Sequence, residues 1–282
     1  MMKVNIQLKR ILPYLLLLPS LIVSICFFLL PFILLFIVSL TNRASFFFAP
    51  EWTALNYYKA VTRYSPDFYN TLLLSGLGAT LDIIIGYPFA YLMSRRIRRF
   101  NDAFRSFLLI PLLGELYIAY GLWWLFLPTG PLAPILEFFG FSAIQLLYSP
   151  IAAAFALTIY TFPFAVMQMG VNLSQIDPIL EEAAMCLGAG TLQRFFRVVI
   201  PLSLPGILSG WLMSFGWNIG AYAIPFLMGG VVLGHRILSV QIRSIALLMM
   251  NYGLAAALAT VLVLISSALM YISLKITKGA LI

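Results

Sequence analysis

The sequence predicts an all-α polytopic membrane domain: six helices crossing the bilayer, with both termini on the cytoplasmic side. Three observations predict it. Hydrophobic residues make up 62% of the 282 and charged residues only 9%, against about 25% charged in a soluble domain. The apolar residues, whose mean hydropathy over the chain is +1.01, gather into runs of about the 20 residues a span requires. The 17 Lys and Arg outnumber 9 Asp and Glu for a net charge of +8, and they fall between the runs rather than on one face. Basicity here reports topology, and no nucleic-acid surface is expected. A soluble enzyme is excluded, because no single core hides this much apolar surface from water.

The first run, Leu12 to Leu40, is uncharged. Lys3, Lys9 and Arg10 ahead of it look like the head of a signal peptide. The run is far longer than the roughly 7–15 apolar residues of a signal, however, and no A-x-A-like cleavage site follows, so a retained helix is expected. Further runs cover Asn70 to Ser94, Ser106 to Leu127, Leu147 to Gly170, Pro201 to Gly229 and Tyr252 to Leu274. Between the third and fourth, Pro128, Gly130, Pro131 and Pro134 break the pattern, and 132–141 reads as a short interfacial helix. With the amino terminus inside, twelve of the seventeen basic residues lie on inner segments, and Arg95, Arg96, Arg98 and Arg99 cast the strongest local vote. Outside, 41–69 is dense in Phe, Trp and Tyr, which suits an interfacial belt better than a docking surface. Cys26, Cys186 and the single histidine, His235, form neither a disulfide framework nor a metal set.

The inner segment between the fourth and fifth runs, 172–201, differs in composition from the rest. Asp177 followed by Pro178 is a helix start. Leu180, Ala183, Ala184 and Leu187 recur at helical spacing with Glu181 and Glu182 off that face, and Gly188 and Gly190 stop the helix. Thr191 is placed to cap a second helix with an apolar stripe, Leu192, Phe195, Phe196 and Val199, and a basic edge of Arg194 and Arg197. Pro201 and Pro205 then lead into the fifth span. Helices this short are marginal alone in water, so the hairpin needs support from its own membrane domain or a partner's groove.

Two acids fall inside runs, Asp82 near the middle of the second and Glu115 near the middle of the third. Each costs about 2.5–3.5 kcal/mol at mid-helix on insertion scales. They therefore either line a wet path that favours a cationic substrate, or are protonated or hydrogen-bonded to hydroxyls such as those of Ser75 or Tyr117. Asn218 and Tyr222, in the glycine-rich part of the fifth run, are further path candidates, although glycine there also serves close helix packing.

Glu182-Ala183-Ala184, Gly188, and Val198-Val199-Ile200-Pro201 resemble the Glu-Ala-Ala loop signature of binding-protein-dependent ABC importer permeases, with the family's spacing held throughout. Leu55-Asn56-Tyr57, the run from Gly86 to Tyr91, Pro163-Phe164, and the run from Gly220 to Gly230 resemble the spermidine/putrescine-type branch. Gly114-Glu115-Leu116-Tyr117 departs from it, where relatives often carry a basic or amide residue.

The resemblance implies a type I ABC importer transmembrane domain over 1–282, multi-pass in a prokaryotic inner membrane. Its 172–201 loop would couple to the ATPase through Glu181, Glu182, Ala183, Ala184, Gly188, Arg194 and Pro201. It implies a second permease subunit, homologous yet different, two cytoplasmic ATPase subunits and an extracytoplasmic substrate-binding protein. No phosphate-cradling Gly-x-x-x-x-Gly-Lys-[Ser/Thr] occurs in the chain, so ATP and magnesium would belong to the ATPase partners. The implied cargo is a polyamine, with sugar, phosphate, iron or thiamine as alternatives within the superfamily. A gradient-driven carrier using Asp82 and Glu115 as ion relays is the alternative outside it, and a membrane-embedded receptor or enzyme, lacking a catalytic set, is a third class.

Overall fold

The computed structural model describes residues 17–42, 51–95, 106, 108, 110, 114–140, 147–228 and 236–279. Lys3, Lys9, Arg10, the 96–105 part of the basic cluster, Phe46 to Phe48 and His235 lie outside them. Among the described residues the chain is helical, with one isolated antiparallel bridge between Thr41 and Trp52. Among the described residues, five helices are long and apolar enough to cross a bilayer: α1 (Leu17–Ser39), α3 (Ser65–Arg95), α6 (Pro150–Gln175), α8 (Thr191–Gly220) and α11 (Tyr252–Gly279). Between them run α2 (Leu55–Arg63), α4 (Glu115–Phe126), α5 (Ala133–Phe138), α7 (Ile179–Cys186), α9 (Ala223–Leu227) and α10 (Leu238–Leu247).

The chain divides into two compact units, 1–63 with 242–261, and 64–241 with 262–282. In the first, α1 is apolar all round and, among its described side chains, buries only Ser39. Its last turn meets α2 through Asn56, whose amide donates to the carbonyls of Ser39 at 3.0 Å and Thr41 at 2.8 Å.

The second unit is built on α3, α6 and α8. Apolar burial gives little drive between helices already surrounded by lipid, so small residues that permit close approach carry the packing. Gly86 lies against Val166 and Met169, Gly210 against the Ala165 carbonyl, and Gly206 against Asn172. One buried cluster joins Tyr87, Ala90 and Met93 to Ala165, Val166, Met169, Leu173 and Val199. Another joins Ala119, Leu122 and Phe126 to Ala153, Ala156 and Leu157, and to Ala223 and Ile224.

Two spans differ from expectation. The described helix of the third run begins at Glu115, after Gly114 at φ +141°, a backbone conformation suited to glycine. Glu115 is thus the first residue of a helix and not its middle. The fifth run breaks, because α8 ends at Gly220, Ala221 is extended and α9 follows. Pro225 favours the break, since it has no N–H for the Ala221 carbonyl and its ring crowds that carbonyl, although Pro88, Pro163 and Pro205 are accommodated inside continuous helices. The proline-broken stretch between the third and fourth runs does contain a short helix, α5, as expected. Helix α10 was not anticipated.

Candidate coupling loop and buried polar crossing

Helix α7 opens where the sequence indicates. Asp177 Oδ1 accepts the Ile179 N–H at 3.0 Å, satisfying one of the orphan donors of a helix start. It closes on Gly188 at φ +85°. The N–H of Ala189 bonds the Ala184 carbonyl at 3.0 Å and that of Gly188 the Met185 carbonyl at 2.9 Å, a Schellman closure.

The face it turns inward differs from expectation. Glu181 is the buried residue, with its carboxylate 2.9 Å from Arg95 Nε and accepting from the Tyr91 hydroxyl at 2.8 Å. Arg95 Nη2 also donates to the Ile176 carbonyl at 2.8 Å, so one guanidinium ties the end of α3 to the end of α6 and to α7. Glu181 therefore anchors the loop to its own bundle. Glu182 and Ala183 are exposed, as are Leu180 and Leu187, the latter 88%; Ala184 is half-buried. The apolar stripe faces outward because the acid, which needs a cation and a hydroxyl, takes the inner face.

After Gly190 the chain re-enters helix. Gly190, and not Thr191, is the capping residue, its carbonyl accepting from the Arg194 N–H at 3.0 Å. There is no separate second short helix: α8 runs from Thr191 through a π turn at Phe195–Val199 straight into the fifth span. The π turn absorbs the hydrogen bond that Pro201 cannot donate. Leu192 and Phe196 are exposed beside the α7 stripe in sequence, and Pro201 is exposed. Arg194 Nη2 is 3.4 Å from Thr191 Oγ1, while its Nε is buried without a hydrogen-bond partner among the described residues. A cavity of about 450 Å³ opens beside this anchor, lined by Met93, Arg95, Val166, Ser174 and Pro178 among others.

Reading the sequence missed Tyr91 and Arg95 as loop anchors. They sit four apart on one face of a helix, a signal masked by the evident part Arg95 plays in topology.

Deeper in the bundle, Asp82 has no solvent exposure. Its Oδ2 is 2.6 Å from Thr161 Oγ1, which is 3.3 Å from Asn218 Oδ1, and Asn218 Nδ2 donates to the Ser75 carbonyl at 3.4 Å. Thr161, and not Ser75, is therefore its hydroxyl partner. Asp82 Oδ1 and Ser214 Oγ are buried without hydrogen-bond partners among the described residues. Glu115 is held elsewhere. Its Oε1 accepts the Ile224 N–H at 2.9 Å, capping α9 in place of the expected Tyr117 contact. Tyr222 precedes α9 and stacks on Phe226 with ring centroids 5.4 Å apart. Asp82 and Asn218 share one polar crossing of α3, α6 and α8, while Glu115 and Tyr222 flank the break in the fifth run.

A family profile, the binding-protein-dependent transport system inner membrane component, matches residues 82–276. The spermidine/putrescine transport system permease protein PotB of Haemophilus influenzae is 30% identical over 261 residues, 90% of each chain. The Escherichia coli protein of that name is 32% identical over 217 residues, 73% of this chain and 77% of the relative. A solved bacterial ABC transporter involved in importing the acidic polysaccharide alginate has a chain that superposes with a TM-score of 0.75 at 18% identity, covering 98% of this chain and 99% of that one.

The helical membrane fold together with the family match defines the permease subunit of an ATP-driven importer, a transport protein of the inner membrane and not an enzyme. The chain belongs to the binding-protein-dependent inner-membrane permease family. Permeases of this kind work with a second permease, ATPase subunits and an external binding protein.

Proposed function

We propose that this chain, as one permease domain over 1–282, forms half of a translocation path for a polyamine such as spermidine or putrescine. A homologous but different permease chain supplies the other half, and two ATPase subunits drive the pair. The 172–201 segment is its coupling loop. The observation that carries this reading is the two-faced α7: Glu181 fixes it to Arg95 and Tyr91 on α3, while Leu180, Ala183 and Leu187 face outward with Glu182 and no cover. A rigid lever with an apolar outer face suits docking into a groove of the ATPase. Gly188 provides the turn, Ala184 the close approach, and Arg194 and Pro201 the re-entry into the membrane. In the path, Glu115 and Tyr222 flank the broken fifth span, and Asp82 with Asn218 secures the crossing beneath.

The polyamine assignment follows the PotB relatives. Permeases for molybdenum and for trehalose/maltose are more distant, each 27% identical. The test is uptake by the reconstituted complex with its binding protein. ATP-dependent accumulation of labelled spermidine, competed by putrescine and not by maltose or molybdate, is the expected result. Accumulation of a different solute with no polyamine competition rejects the substrate assignment and leaves the coupling loop standing.

A further inference from the structure

Helix α2 buries one face and exposes the other. Asn56 and Ala60 are buried, while Leu55, Tyr58 and Val61, at i, i+3 and i+6, are 46%, 67% and 65% exposed. Arg63 lies exposed and Lys59 half-buried along one edge of this stripe. Trp52, just ahead of the helix, is 65% exposed.

The depth of α2 is fixed by its polar anchor. Helix α1 ends at Ser39, at the close of the uncharged run Leu12 to Leu40, so this end marks the outer edge of the hydrocarbon core. Asn56 donates to the carbonyls of Ser39 and Thr41 at this end. The bridge between Thr41 and Trp52 brings the chain back to the same level, with Thr53 N–H bonded to the Leu40 carbonyl at 2.7 Å. The first turn of α11 arrives there too: a methyl on Gly253 would overlap the Thr41 carbonyl and stand 3.0 Å from Asn56 Nδ2. Two span ends and α2 therefore meet at one level. Tryptophan, tyrosine and basic side chains are the residues favoured at a membrane–water boundary, and an apolar stripe with a basic edge is the pattern of a helix lying in it.

We propose that α2 is an interfacial anchor whose Leu55–Tyr58–Val61 stripe is seated in the outer boundary between lipid headgroups and acyl chains, with Lys59 and Arg63 on the headgroup phosphates. It holds the outer ends of α1 and α11 at fixed depth while the rest of the subunit moves. The partner is the lipid and not a protein.

The test is a nitroxide on Val61→Cys in the assembled complex, with Cys26 and Cys186 replaced by serine, in vesicles of phosphatidylethanolamine and phosphatidylglycerol. Tyr58→Cys serves as a second site should the first fail to assemble. Relaxation by oxygen exceeding relaxation by a water-soluble nickel chelate, unchanged when saturating binding protein is added, is expected, whereas a label on Arg63→Cys should favour nickel. Nickel exceeding oxygen at Val61 and Tyr58 places the stripe in water and overturns the proposal. Shielding from both reagents, before or after binding protein is added, places it against a protein and overturns it equally.

Discussion

Glu181 and Arg95 are each only slightly exposed, and neither has another counter-charge within ion-pair distance among the described residues. Removing one partner leaves the other desolvated, so Glu181→Ala should cost about 1.5–3 kcal/mol. Thermal unfolding of the purified complex checks this, and the Glu181→Ala/Arg95→Ala double variant should lose less than the sum of the single losses. At Gly188 the backbone sits at φ +85°, where a side chain costs about 1–2 kcal/mol. Gly188→Val should therefore loosen the loop to proteolysis near Arg194 and Arg197 without preventing membrane insertion. The start at Asp177 and the stop at Gly188 were legible in the sequence, because caps are local chemistry. Which of two adjacent glutamates turns inward was not, because the answer lies with Tyr91 and Arg95 nearly ninety positions away.

The α6–α8 contact rests on glycine where the helices cross. A methyl on Gly206 would lie 2.5 Å from Asn172 Cβ, whereas one on Gly76 meets nothing within 4 Å. Gly206→Ala should lower stability by about 1–3 kcal/mol through overpacking, and Gly76→Ala in the interior of α3 should be neutral or raise it by about 0.5–1 kcal/mol. Paired melting curves of the two variants read the difference directly. Hydrophobic runs located five of the six expected spans, since length and apolarity are one-dimensional properties, while in the third run the described helix is only Glu115–Phe126. They could not locate the break at Ala221, because 201–229 is uncharged throughout. Pro225 did not announce it, since Pro205 in the same run sits inside an unbroken helix, and Glu115 as the cap of α9 was beyond reach, since it arrives from another helix.

At the scale of the whole molecule, the proposed function gives the membrane bundle a path and the 172–201 loop a handle on it. Under the proposed coupling, tension applied to α7 would pass through the Glu181–Arg95 pair to α3, and through the continuous α8 to the broken fifth span. Glu182→Arg reverses a charge on the exposed face, so it should leave the protein inserted and folded while ATP-dependent uptake falls to background. Retained uptake would remove Glu182 from the contact. The most direct measurement is a crosslink from the loop itself. With Cys26 and Cys186 replaced by serine, Ala183→Cys in the functional complex should crosslink to an ATPase subunit, with a yield that changes when ATP is bound. Active transport with no crosslink to that subunit from Ala183→Cys, in the presence or absence of nucleotide, would show that this loop is not where the ATPase takes hold.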